Sequence, residues 1–290
     1  MRTEWLKMNI LQLNKRHMKL SLTSWSFSNL SLAEVGGIAK ILGFEAIDLG
    51  YFYKCSLDKV KLLTEPESYG SEISAALPVD IANLFHVFGD DEVDRNLSLP
   101  ANPQNLTDLK SALIFAKTVG APSVFILPGM INPGQSRSEA LKVSAEALKP
   151  MVAAGQEAGV AVLVEPHVHG LLESPGMTQE LLHAVPGLKI VLDPSHFTAL
   201  GYRQEEIEVL AGEAGHVHLR QAKQGYLQTR MESGTINFPG FFGVLRDAGY
   251  DGWLSIEFED QDNINTLAED VLSETVKMRD CFRSWSSSVG

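Results

Sequence analysis

Eight times between residue 19 and the C-terminus a short apolar segment gives way to a stretch with helical spacing, and no other feature constrains the fold as tightly. The strand-like segments are Lys19–Trp25, Ala46–Leu49, Val79–Leu84, Ser123–Leu127, Ala161–Glu165, Lys189–Asp193, Val217–Leu219 and Leu254–Phe258. Most are rich in Val, Ile and Leu, as parallel strands buried on both faces must be. Between them, Ser31–Leu42 sets Leu32, Val35, Ile38 and Leu42 on one helical face and stops at Gly43. Asn105–Val119 repeats the design before Gly120, Ser138–Ala158 runs to Gly159, and Ile264–Arg283 closes the chain. Pro66 interrupts the segment Ser56–Leu77. Strict alternation predicts an α/β chain folded as a single (β/α)8 barrel over residues 19–290. An open doubly wound sheet is disfavoured, because Trp25-Ser26-Phe27-Ser28 stands where a Gly-rich fingerprint would follow the first strand.

A length of 290 residues suits one such barrel, and 44% hydrophobic with 21% charged residues is ordinary for a globular enzyme. The net charge of -12 counts against a phosphate backbone as partner. No apolar run approaches the roughly 18 residues that span a bilayer. Residues 1–18 carry Arg2, Lys7, Lys15 and Arg16 around a short apolar stretch and lack a cleavage site, so they are expected to be an extension before the first strand. Cys55 and Cys281, far apart and without ligand-spaced neighbours, read as reduced thiols of a cytoplasmic protein. Assembly into a homo-oligomer is compatible with such a barrel, although no distinctive interface stripe specifies it.

The chemistry is expected at the C-terminal strand ends, the active face of this architecture. Strand five ends in Glu165-Pro166-His167, strand six in Asp193-Pro194-Ser195-His196, strand seven carries His216-Val217-His218-Leu219-Arg220, and strand eight reads Ile256-Glu257-Phe258-Glu259. A carboxylate ending a buried apolar strand is costly unless paired, hydrogen-bonded or metal-bound. The four strand-end groups are hard to neutralise internally, since no Lys or Arg follows each at matching depth. One divalent cation held by Glu165, Asp193, His218 and Glu257 satisfies them together. Glu257 is preferred to Glu259, and His218 to His216, for their positions along alternating strands. Three oxygen donors and one imidazole favour Mn²⁺, with Mg²⁺, Co²⁺ and Zn²⁺ as alternatives. Taken singly, each residue has a plainer reading: an ion pair for Glu165, a turn cap for Asp193, a hydrogen-bonded core imidazole for His218.

From about Lys19 onward the chain resembles the xylose isomerase-like barrel superfamily of sugar-phosphate isomerases and epimerases. The resemblance is sharpest through Glu165-Pro166-His167, Asp193-Pro194-Ser195-His196, His216-Val217-His218-Leu219-Arg220, Gly234-Thr235-Ile236-Asn237-Phe238 and Ala248-Gly249-Tyr250-Asp251-Gly252-Trp253-Leu254-Ser255-Ile256-Glu257. It implies that the same Glu, Asp, His and Glu bind one metal ion, that Glu165 and Glu257 double as acid and base, and that His196 contacts the substrate. His167 joins it as an expected substrate-facing residue. The implied reaction is metal-dependent isomerisation or epimerisation of a sugar or sugar phosphate through an enediolate. Loss of a β-hydroxyl from that enediolate would instead make the chain a dehydratase acting on a cyclitol or keto-sugar.

Further candidates lie around the same mouth. His86 after strand three and Trp25 after strand one are placed to touch substrate, and Arg220, Lys223 and Arg230 can hold a phosphate or carboxylate. A DNA-repair endonuclease on this fold is disfavoured. Its members carry an Asp-x-His where this chain reads Gln228-Thr229-Arg230-Met231-Glu232, and a His on strand four where it reads Phe125-Ile126-Leu127. A non-catalytic sugar-binding barrel is disfavoured by the intact strand-end set. The expected partner is a small sugar, with no nucleic acid and no membrane.

Overall fold

The computed structural model describes residues 17–260 and 270–289. Most of the expected N-terminal extension, and residues 264–269 of the expected closing helix, lie outside these. The strands are β1 (Lys19–Thr23), β2 (Ala46–Leu49), β3 (Asp80–Phe85), β4 (Ser123–Ile126), β5 (Ala161–Val164), β6 (Lys189–Leu192), β7 (Ala214–Leu219) and β8 (Trp253–Ile256). Each pairs in parallel with the next, and β8 returns to β1 with Leu22 opposite Ile256, closing the barrel. The expected (β/α)8 architecture is therefore present.

The helices are α1 (Leu32–Leu42), α2 (Lys59–Thr64), α3 (Pro66–Ala76), α4 (Pro103–Val119), α5 (Arg137–Ala158), α6 (Pro175–Ala184), α7 (Pro194–Ala199), α8 (Gln204–Glu208), α9 (Phe238–Asp247) and α10 (Val271–Val289). Their ends follow local chemistry. Ser31 and Glu34 form a reciprocal capping box at the start of α1, and Ser136 and Glu139 do the same for α5. Gly43 and Gly159 end these helices at φ 78° and 74°, a conformation most side chains resist. Pro66 resolves the ambiguous Ser56–Leu77 stretch into two helices. It occupies the first position of α3, where its missing N–H costs nothing, and α2 stops just before it.

Alternation along the strands sorts the core into two regions. Leu22, Leu49, Leu84, Ile126, Val164, Leu192, Leu219 and Ile256 belong to the large apolar layer between sheet and helices. Phe85, Phe125, Leu163 and Val191 form a smaller cluster with Trp25. The remaining alternate positions are polar and fully buried: Ser21, Asp48, Asn83, Ser123, His216 and Ser255. Several bond one another, with Ser123 Oγ donating to Asn83 Oδ1 at 2.8 Å and Ser255 Oγ donating to Asp48 Oδ1 at 2.6 Å, while Asn83 Nδ2 is buried without a hydrogen bond. A hydrogen-bonded polar column thus runs beneath the strand ends, in place of the branched apolar layers common in such barrels.

Candidate metal and catalytic site

Strand β7 and the residue just after it place His216, His218 and Arg220 two residues apart, all buried along one inward line. His218 is the hub. Its Nδ1 lies 2.8 Å from Glu165 Oε1 and 3.1 Å from Glu257 Oε2, while its Nε2 lies 3.2 Å from Asp48 Oδ2. Asp48 also receives Nε2 of His216 at 2.7 Å. Burial pushes the Asp48 carboxyl up, but His216 and His218 outweigh it and hold the group well below the usual carboxylate range. An ionised Asp48 fixes the Nε2 side of His218, so Nδ1 is the nitrogen turned toward the glutamates.

Glu257 is anchored by Trp25, whose Nε1 donates to Oε1 at 2.8 Å. Its other oxygen is buried without a hydrogen bond. Burial opposes ionisation of Glu257, yet His218 and Arg220 draw it down to about 2. Ligand atoms of Glu165, His218 and Glu257 all lie within 4.8 Å of one another, and so do those of Glu165, Asp193 and His196. Two buried carboxylates converging on one imidazole nitrogen form a donor set that fits a divalent ion. Glu165, His218 and Glu257 would hold it, with Asp193 at the margin.

One expectation is overturned. A cation does stand at matching depth: Arg220 donates from Nη2 to Asp193 Oδ2 at 3.0 Å and from Nε to Ser195 Oγ at 3.0 Å. Its Nη2 is also 3.3 Å from Glu257 Oε2, and its Nη1 3.3 Å from Glu259 Oε1. The reason is the strand period, which continues the inward line of residues 216 and 218 to 220. The other Asp193 oxygen accepts from the Ser195 N–H at 2.8 Å, capping α7. Burial raises the Asp193 carboxyl above its ordinary range against the pull of Arg220.

A cavity of about 400 Å³ opens over this cluster. Glu165, His167, Arg220, Glu257 and Glu259 line it together with the aromatic side chains of Trp25, Phe52, Phe85 and Phe125. Among these aromatics Phe85 and Phe125 are closely stacked, their centroids 4.4 Å apart. His196 sits beside this lining: its ring is 4.1 Å from that of His167, Nδ1 accepts from Val168 N–H at 3.2 Å, and Nε2 lies 3.1 Å from Arg220 Nη2. Burial, reinforced by His167 and Arg220, keeps His196 neutral. His86 is buried farther round, with Nδ1 2.9 Å from the Tyr51 hydroxyl and Nε2 without a partner. Arg230 is exposed at the start of the turn Met231–Ser233 and does not line the cavity.

The structure thus gathers Glu165, Asp193, His196, His218 and Glu257 into one cluster, with His167 and Trp25 on the cavity wall. His86 and Arg230 stand outside it. Sequence reasoning missed Asp48, although a carboxylate inside the apolar run Ala46-Ile47-Asp48-Leu49 is the same signal that marked the later strands.

A family model described as the xylose isomerase-like TIM barrel matches residues 38–279. The chain belongs to that family. Among curated relatives, a 2-oxo-tetronate isomerase of Pectobacterium atrosepticum is 24% identical over 159 residues, covering 52% of this chain and 60% of the relative. A putative hydroxypyruvate isomerase of Xenopus laevis is 27% identical over 169 residues, covering 53% of this chain and 60% of the relative. The chain therefore spans about three-fifths of the length of these relatives. Among solved structures, the IOLI protein with a binding zinc atom superposes with a TM-score of 0.69 at 17% identity, over 93% of this chain and 99% of that one. At that identity the likeness establishes the barrel fold. No helix among the described residues is long and apolar enough to cross a membrane.

Proposed function

We propose that this xylose isomerase-like barrel is a divalent-metal-dependent isomerase or epimerase of small hydroxy-carbonyl compounds, a sugar, sugar phosphate or sugar-derived keto acid. The observation that carries the reading is the convergence of two carboxylates, Glu165 from the end of β5 and Glu257 from the end of β8, on one nitrogen of His218 at the cavity floor. Mn²⁺ suits this mixed oxygen and imidazole set, and the relatives named isomerases support the reaction class. A bound divalent ion supplies Lewis acidity to a substrate carbonyl and its neighbouring hydroxyl.

The remaining work falls to the protein's own groups. Glu165 and Glu257 both border the cavity, so one removes the proton next to the carbonyl and the other returns it. Return to the same carbon inverts it; return to the neighbour moves the carbonyl. Trp25 holds Glu257 in place, and Asp48 holds His218. His167 on the cavity wall orients substrate hydroxyls, and His196, packed against it, supports that wall. The lining aromatics Trp25, Phe52, Phe85 and Phe125 limit water around the reacting carbon. The free thiols Cys55 and Cys281 support a reducing, cytoplasmic setting.

The test pairs metal content with proton exchange. Wild-type protein purified without chelator should carry near one equivalent of a divalent ion, reduced in Glu257→Gln and Asp193→Asn. In D₂O it should wash deuterium into the carbon next to the carbonyl of hydroxypyruvate or a ketose, read by NMR. Glu165→Gln should slow that exchange by about 10²–10⁴-fold. Product analysis separates isomerisation from loss of a hydroxyl. A protein that neither holds nor takes up metal would overturn the reading.

A further inference from the structure

The strand-end carboxylates are not waiting for a metal with empty hands, because Arg220 already sits among them. The residue is 3% exposed, and its guanidinium reaches Asp193 at 3.0 Å, Glu257 at 3.3 Å and Glu259 at 3.3 Å. Ser195 Oγ at Nε, and His196 Nε2 beside Nη2, complete its surroundings. Two of those partners, Asp193 and Glu257, are residues that would also serve a metal. Nη2 approaches the very oxygen of Glu257, Oε2, that lies 3.1 Å from His218 Nδ1.

We infer that Arg220 is a built-in counter-cation that shares the metal's carboxylates and thereby sets the metal affinity of this site. Two physical facts support it. A fixed positive charge a few ångström from a cation's ligands repels that cation, and more strongly in a buried setting than in water. A guanidinium also binds carboxylate in a defined planar geometry and never gives up its charge, so its competition does not fade across the physiological pH range. Arg220 therefore does two opposed things. It prevents the buried carboxylates from repelling one another before an ion arrives, and it lowers the gain when one does. With one arginine against Glu165, Asp193, Glu257 and Glu259, the cluster keeps enough negative charge to take a divalent ion, but less than a bare carboxylate set. The metal is then exchangeable and not permanently locked in. Arg220 is in this sense a positioning residue, acting on the ligands.

The inference rests on the metal-dependent reading above, and the experiment separates the two. Metal-free wild type, Arg220→Gln and Arg220→Lys are titrated with Mn²⁺, free ion being counted by electron paramagnetic resonance, and folding is checked by circular dichroism. Arg220→Gln removes the charge and should bind Mn²⁺ at least about tenfold tighter than wild type. Arg220→Lys keeps the charge and should bind no tighter than wild type. A merely structural arginine gives the opposite sign, weaker binding in the glutamine variant. Equal or weaker binding in folded Arg220→Gln, or equal tightening in Arg220→Lys, overturns the inference. Should Arg220→Gln be loosened without metal, Mn²⁺ must raise its melting temperature by more than it raises that of wild type; failure to do so also overturns it. No Mn²⁺ binding by any of the three would remove the metal-dependent reading and this inference together, whereas weak wild-type binding without a gain in the glutamine variant removes this inference alone.

Discussion

Asp48 and His86 show how differently two buried polar side chains can serve a barrel. Asp48 is ionised and fully satisfied, receiving His216, His218 and Ser255. Asp48→Asn removes the charge that orients His218, and losing the partner behind a ligating imidazole should weaken metal binding by about 10–100-fold. Mn²⁺ titration of the folded variant checks it. His86 is neutral instead: burial first, then the nearby Lys59, lowers it to about 3 from an ordinary 6.5. Between those values the unfolded chain takes up a proton that folded His86 refuses. Stability should therefore fall as pH drops below 6.5, with His86 contributing about 1.4 kcal/mol per pH unit. Urea unfolding at pH 6 and pH 5 should show a shallower loss in His86→Gln. An unchanged slope would show that His86 is protonated in the fold.

At the scale of the element, helix–strand packing decides which glycines are replaceable. Gly155 lies in α5 where the helix turns back onto β5, and a Cβ there would stand 2.7 Å from both the Val160 carbonyl oxygen and a Val162 methyl. Gly155→Ala should destabilise the fold by about 1–3 kcal/mol through overpacking. Gly37 in α1 has nothing within 4 Å of the same atom. Gly37→Ala should stabilise by about 0.5–1 kcal/mol, the ordinary gain of alanine over glycine in a helix. Chemical denaturation of the two variants beside wild type reads both signs at once. Element boundaries were legible where caps are local, as at Ser31, Gly43 and Gly159, because each cap is a contact within a few residues, whereas α5 starts one residue before the expected Ser138, capped by Ser136. The ends of β1 and β7 were less so. Strand β7 begins at Ala214, earlier than its apolar run suggests, since pairing with β6 and not hydropathy sets its start.

At the scale of the whole molecule, barrel closure is what makes a site. Asp48 on β2 meets His216 and His218 on β7, and Trp25 after β1 meets Glu257 after β8. A divalent ion tying β5, β7 and β8 together binds only the closed barrel, so it must stabilise the whole fold. Mn²⁺ at a hundred times its dissociation constant should add about 2.7 kcal/mol. A melting temperature raised by several degrees, and lowered again by chelator, is the expected readout; in Glu257→Gln the rise should shrink.

What this chain's sequence determined by itself is the repeating unit and the depth of its polar residues. Apolar strands, capped helices and the two-residue strand period are local properties, and together they specify a barrel with Glu165, Asp193, His218 and Glu257 turned inward at one end. Only the tertiary structure decided how those charges are shared. Arg220 follows His218 by two positions, yet nothing local says whether its long side chain leaves for solvent or folds back among carboxylates from β6 and β8. Nor could Asp48 be assigned to His218 across 170 residues of chain. Hydropathy and propensity are read along the chain, whereas buried charges are settled by whichever partners the closed barrel brings within a few ångström.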